Sequence, residues 1–181
     1  SDLFDDPSTD NQMLETPTRT DFINPLIKAL GWDLLNESRL RTREVVQEAS
    51  TDDGSDNGKP DYAFQAASIR KIYWEAKKIS VKIETNVDAS IQARQYGFTD
   101  SHPISVLTNF EHLIIFNTSF KPEAGDQPVT ARLKIYKYTE FVDKWDEIWN
   151  LLSRESFFST DWDNKINQLI QNPIQPGQTV N

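Results

Sequence analysis

The chain has no cysteine and only two histidines among its 181 residues. Disulfides and thiolate zinc sites are therefore excluded outright, and His102 and His112 stand in no metal-ligand spacing. No stretch approaches the roughly 20 apolar residues of a membrane span, and there is no secretory apolar region. We therefore expect a soluble cytoplasmic protein with no membrane partner. A basic excess is missing too: 19 Lys and Arg face 28 Asp and Glu, for a net charge of −9. That is the wrong sign for a protein that grips nucleic acid with its whole surface.

What is present is the composition of one globular domain, 37% hydrophobic and 26% charged, long enough to bury a sizeable core. Residues 1–14, with Asp2, Asp5, Asp6 and Asp10 and no base, read as a mobile acidic N-terminus. Residues 153–181 read as a helical extension ending in a proline-broken linker. Basic residues gather in one place, where Arg70, Lys71, Lys77, Lys78 and Lys82 surround a single acid, Glu75.

That basic stretch belongs to the most informative part of the chain. Two short apolar-polar alternations, Gly58-Lys59-Pro60-Asp61-Tyr62-Ala63-Phe64 and Ile72-Tyr73-Trp74-Glu75-Ala76-Lys77-Lys78, are separated by a break at residues 65–70 and read as a β-hairpin. A turn centred near Ser68 sets Asp61 opposite Glu75, Ala63 opposite Tyr73 and Gln65 opposite Lys71. Side chains alternate across a strand, so Asp61, Glu75 and Lys77 share one face, and Tyr62, Phe64, Ile72, Trp74 and Ala76 the other. Two carboxylates this close repel unless a divalent cation lies between them, and Mg²⁺ suits their hard oxygens, with Mn²⁺ as a substitute. The Lys77 ammonium beside such an ion can orient water and neutralise charge on a phosphate. The plain alternative for such a short pattern is a solvated salt-bridge cluster.

The rest of the chain supplies the frame. Thr16-Pro17 is a helix start and Gly31 a stop, with Phe22, Ile23, Leu26, Ile27 and Leu30 as an apolar stripe and Pro25 as a source of kinking. Residues 43–49 read as a first strand and 51–59 as a turn-rich loop that fails the calcium-loop pattern. Asn86 or Asp88 caps a helix running to about Phe98, on which Gln92 and Tyr96 share a face. Ile104 to Thr108 and His112 to Asn117 read as buried strands joined by a tight turn, and Arg132 to Tyr138 as an edge strand. Thr139 is expected to cap a helix with a stripe of Phe141, Val142, Trp145, Ile148, Trp149 and Leu152, and residues 161–171 form a weaker amphipathic segment. The fold class expected is α/β, a central mixed sheet built around the hairpin and flanked by helices, with additional C-terminal helices.

Pro60-Asp61 followed by Glu75-Ala76-Lys77 resembles the signature of the PD-(D/E)XK nuclease superfamily. Gln92-Ala93-Arg94-Gln95-Tyr96 is similar to the Q-x-x-x-Y motif that accompanies this core in type I restriction subunits and in the N-terminal endonuclease domain of type IIG restriction-modification enzymes. Ile23-Asn24-Pro25-Leu26, Leu30-Gly31-Trp32 and Val106-Leu107-Thr108-Asn109-Phe110 are similar to the same group, and the resemblance covers residues 15–152. It implies a restriction-endonuclease-like core and a Mg²⁺-dependent endonuclease. Asp61, Glu75 and the Ala76 backbone carbonyl would be its metal ligands, Lys77 its catalytic amine, and Glu15, just before the first helix, a candidate auxiliary. Gln92, Tyr96 and Lys78 would position DNA. The implied partners are double-stranded DNA, methyltransferase and target-recognition domains or subunits outside this chain, and a second copy as transient dimer for double-strand cleavage. A repair or recombination nuclease on the same core, or a non-cutting DNA-binding or protein-interaction module, remains the alternative.

Overall fold

A computed structural model describes residues 16–48, 58–66 and 69–172, with 69–71 described by backbone alone. Glu15, the acidic N-terminus, most of the 51–59 loop, the Ser68 turn and the final tail lie outside the described residues. The strands are β1 (Val45–Gln47), β2 (Tyr62–Ala66), β3 (Ile69–Ala76), β4 (Ile104–Thr108), β5 (His112–Asn117) and β6 (Arg132–Lys137), and they form one sheet in that same order. Every neighbouring pair is antiparallel except β3 and β4. A parallel pair needs a crossover, here supplied by α2 (Val87–Thr99). The sheet is thus mixed and helix-flanked, an α/β architecture as expected.

Alternation along the strands gives the sheet two apolar faces. Tyr62, Phe64, Ile72, Trp74, Ile104, Val106, Leu113 and Ile115 point to one face and share a core with the first helix and the C-terminal helices. Ala63 and Tyr73 point to the other face and meet Tyr96 of α2, while Leu107, Ile114 and Phe116 meet Ala89 and Ala93. Asn86 caps α2, its side-chain oxygen accepting from the Ala89 N–H at 2.9 Å. Gly97 lets α2 lie close to the sheet, since a Cβ there would be 2.7 Å from Thr118 Cγ2.

The hairpin register agrees with expectation at Ala63 and Tyr73 but slips beyond Phe64, where a bulge sets Gln65 opposite Arg70 rather than Lys71. A bulge opposes two residues to one, which sequence alternation alone does not reveal. The first strand is also shorter than expected, three residues only. The first helix is helical at residue 16, widens into a π turn, Arg19–Ile23, and tightens again as α1 (Asn24–Ala29). The distortion therefore precedes Pro25. Proline has no N–H for residue 21 and crowds that carbonyl, and the Asn24 N–H bonds Arg19 O instead. Phe22 departs from the expected stripe and is exposed, because the wider turn rotates it off the core face.

At the C-terminal end Thr139 does not cap a helix. It sits inside a 3₁₀ turn, Tyr138–Glu140, that closes on itself when the Glu140 carboxylate accepts from the Lys137 N–H at 2.9 Å. The following helix, α3 (Trp145–Leu152), starts only later, and Val142 is 87% exposed rather than part of the stripe. α4 (Arg154–Phe158) and α5 (Trp162–Gln171) complete the layer, and Phe157, Trp162 and Ile166 join the same core. Indole donors satisfy the carbonyls α3 leaves open: Trp32 Nε1 donates to Leu152 O and Trp162 Nε1 to Leu151 O, both at 2.9 Å. Arg154 grips the buried Glu44 carboxylate through two bonds of 2.7 and 2.6 Å, which ties these helices to the entrance of β1.

Candidate active site

β3 carries the centre of the site. Its last residues are held on both sides, by β2 and by parallel β4, where the Lys77 N–H donates to Thr108 O at 2.9 Å. Asp61 lies one residue before β2, and its Oδ2 accepts from the Ala76 N–H at 2.7 Å, fixing the carboxylate against the end of β3. Glu75, 5% exposed, faces the same side of the sheet. Lys77 is the hub: its Nζ donates to Glu75 Oε1 and to Gln92 Oε1, each at 2.8 Å. Gln92 Nε2 in turn donates to the Tyr96 hydroxyl at 3.0 Å. The helical spacing of Gln92 and Tyr96 thus becomes a continuous chain of contacts from Glu75 to the phenol.

Five of the residues singled out in the sequence, Asp61, Glu75, Lys77, Gln92 and Tyr96, come together in this way. Lys78 follows at the exit of β3, half-buried, and its carbonyl accepts from the Val81 N–H at 3.0 Å. That exit is stitched by Asn109, a buried residue of the β4–β5 turn whose Nδ2 donates to Val81 O at 2.8 Å and whose Oδ1 accepts from the His112 N–H at 2.8 Å. Gly58, with φ +88°, approaches the phenol so closely that a Cβ would lie 2.8 Å from its oxygen. A side chain here would meet both the left-handed backbone and Tyr96.

Sequence reasoning missed Arg19. From the π turn its Nη1 reaches Asp61 Oδ1 at 3.2 Å, and its guanidinium lies 5.1 Å from the centre of the Tyr62 ring. Its Nε donates to the Tyr62 hydroxyl at 3.4 Å, and that hydroxyl donates to Asn24 Oδ1 at 2.7 Å. The only sequence signal was a base on the first helix, four residues beyond Glu15.

The electrostatics follow from burial and pairing. Burial pushes the Asp61 carboxyl above its ordinary value, opposed by the Ala76 N–H and by the charges of Arg19 and Lys77. Burial also raises the Tyr96 phenol, against the Gln92 hydrogen bond, so it stays a neutral donor throughout the physiological range. Arg19 loses some basicity to burial but more than regains it from Tyr62, Asp61 and Glu48. The donor chemistry suits a hard divalent cation, with two carboxylates and the Ala76 carbonyl all offering oxygen. Among the described residues no group of three or more His, Cys, Asp and Glu gathers to hold a metal. An ion here would thus complete its shell with backbone, water or ligand oxygen.

Fold and site together define an α/β protein with a carboxylate and amine cluster at the C-terminal end of a central strand. The sequence is 43% identical over 164 residues to the type II restriction enzyme and methyltransferase RM.Eco57I of Escherichia coli, a match covering 88% of this chain and 16% of that protein. The chain therefore belongs to the family of these type II restriction and methyltransferase enzymes, spanning about a sixth of the matched relative's length. Among solved structures, the type IIG restriction endonuclease BpuSI is similar at a TM-score of 0.45 and 19% identity, over 84% of this chain and 17% of that one. No protein-family model matches the chain.

Proposed function

We propose that this chain is the DNA-cleaving module of a restriction-modification enzyme, a Mg²⁺-dependent endonuclease in which Mn²⁺ can substitute. The observation that carries this reading is the convergence of Asp61, Glu75 and Lys77 at the end of β3, with Lys77 bridged to both Glu75 and Gln92. Asp61, Glu75 and the Ala76 carbonyl would hold the metal. When bound, the ion supplies Lewis acidity at a phosphate oxygen and lowers the pKa of a water.

The chain's own residues do the rest. The Lys77 ammonium, held by two acceptors, is aimed where a water attacks and where negative charge grows on the phosphate. Glu75 holds the Lys77 amine in place. The Tyr96 hydroxyl accepts from Gln92, which leaves its own proton to donate to a phosphate oxygen and set the scissile strand in line. Lys78 lies one residue beyond the centre, where the DNA backbone would pass. Cleavage breaks the P–O bond to the leaving oxygen as water oxygen bonds to phosphorus, and the leaving oxygen takes up a proton.

The substrate proposed is double-stranded DNA, and the partners are methyltransferase and target-recognition parts outside these 181 residues, with a transient dimer for the second strand. A plasmid-nicking assay with and without Mg²⁺ tests the reading. Relaxation by the wild-type chain in Mg²⁺ and none by Asp61→Asn supports it; equal activity in EDTA, or full activity of Asp61→Asn, overturns it.

A further inference from the structure

Arg19 belongs to none of the roles above, yet its Nη1 pairs directly with Asp61 Oδ1. The Asp61 carboxylate uses one oxygen, Oδ2, to hold the Ala76 N–H, and turns the other, Oδ1, to Arg19 Nη1 at 3.2 Å. The oxygen not tied to the strand is therefore already paired with a cation. The same nitrogen also lies 3.8 Å from Oε1 of Glu48, whose side chain is 75% exposed. Arg19 thus stands between an inner acid in the site and an outer acid at its rim. Its guanidinium rests on the Tyr62 ring, a surface along which a planar cation can slide without losing its contact. It also opens the π turn, a departure from α geometry of a kind that recurs at functional sites.

We infer that Arg19 is a two-position counter-ion that competes with the divalent metal for Asp61, neutralising the carboxylate in the metal-free protein and moving to Glu48 when the ion enters. This rests on the metal-nuclease reading of the site. Two cations on one carboxylate oxygen repel, so entry of a doubly charged ion requires the guanidinium to give way. Glu48 accepts it at the surface, where holding a charged pair is cheap. The arrangement keeps Asp61 from standing as an unpaired buried charge while no metal is bound. It also sets metal affinity below what the donor set alone would give.

Substitutions at Arg19 and at Glu48 have consequences of opposite sign, which a merely structural role would not produce. Arg19→Gln removes the competitor and binds Mg²⁺ or Mn²⁺ on the order of tenfold more tightly, the equivalent of one charged hydrogen bond. Arg19→Lys keeps the charge and stays near wild type. Glu48→Gln removes the outer resting place and binds metal several-fold more weakly. Calorimetric titration of the 181-residue chain without DNA reads all four proteins. In the wild type, the Arg19 Nε–Hε resonance, identified by its loss in Arg19→Lys, shifts as Mg²⁺ is added, a readout that needs no variant to bind metal. If the wild type binds metal while Arg19→Gln binds equally or more weakly and the resonance does not move, the counter-ion role is overturned and the nuclease reading stands. If neither the wild type nor Arg19→Gln binds any divalent ion, both fall together.

Discussion

Asp61 acts at the residue scale as a backbone acceptor and a candidate metal ligand, and its substitutions separate the two. Asp61→Asn keeps an acceptor for the Ala76 N–H and should fold like the wild type while cutting nothing. Asp61→Ala leaves that N–H without its acceptor, and Arg19 without its inner partner, and should also lose about 1–3 kcal/mol of stability. Denaturant melts beside nicking assays check both. Lys77→Met should lose on the order of 10²–10³ in turnover while metal affinity, read by calorimetry, does not fall, because the ammonium acts on water and phosphate rather than as a ligand. A fall in metal affinity matching that of Asp61→Asn would refute this division of labour. Tyr96→Phe removes one phosphate donor and should slow cleavage by roughly tenfold or less, equally on all sequences; a changed sequence preference would mean that α2 reads bases.

Two contacts between elements decide where the site's helix and the C-terminal layer sit. Gly97→Ala tests the first. Alanine in a helix gains about 1 kcal/mol over glycine, but here its Cβ would fall 2.7 Å from Thr118 Cγ2, and overpacking costs about 1–3 kcal/mol. The clash should win, lowering Tm and, by moving α2, weakening the Lys77 to Gln92 contact; adding Thr118→Ser should restore part of both. The second contact joins β6 to α3, where Lys134 Nζ meets Glu147 Oε1 at 2.5 Å. Burial alone would raise the Glu147 carboxyl, but Lys134 and Tyr136 more than reverse it and hold it below its ordinary value of 4.5. A depressed carboxyl stabilises the fold above its unfolded pKa, and the contribution fades as pH falls through the lower folded value. Thermal melts of wild type and Glu147→Gln should therefore differ at neutral pH and converge in acid, once the pH has fallen below the depressed folded value.

For the molecule as a whole, charge is the governing quantity. A body of net charge −9 repels a polyanion, and the bases after β3 are too few to match the roughly 6 to 10 phosphates neutralised in a typical specific complex. We expect this chain alone to bind duplex DNA weakly and without sequence preference. Tethering to a recognition part would raise the local DNA concentration to roughly millimolar, enough for weak contacts to serve. Fluorescence anisotropy of Asp61→Asn on random duplexes with Ca²⁺, at about 0.15 M salt where screening reaches over about 8 Å, measures this. Nanomolar, sequence-selective binding would instead make the chain a self-sufficient recognition module.

By itself the sequence determined much of what short-range periodicity governs, though not the Phe22 and Val142 positions of the helical stripes. Alternation placed β2 and β3, paired Ala63 with Tyr73 and put Asp61, Glu75 and Lys77 on one face; helical spacing put Gln92 and Tyr96 together; apolar runs marked β4 and β5. The tertiary structure decided what depends on distance in the chain. The bulge beyond Phe64, the π turn before Pro25 and the late start of α3 arise where local preference yields to packing, and no period in the sequence reports such a yield. The Arg19 to Asp61 pair spans 42 residues and Arg154 to Glu44 spans 110. Either base could have met any acid until the fold closed, so only the packed molecule could show which charges share a site.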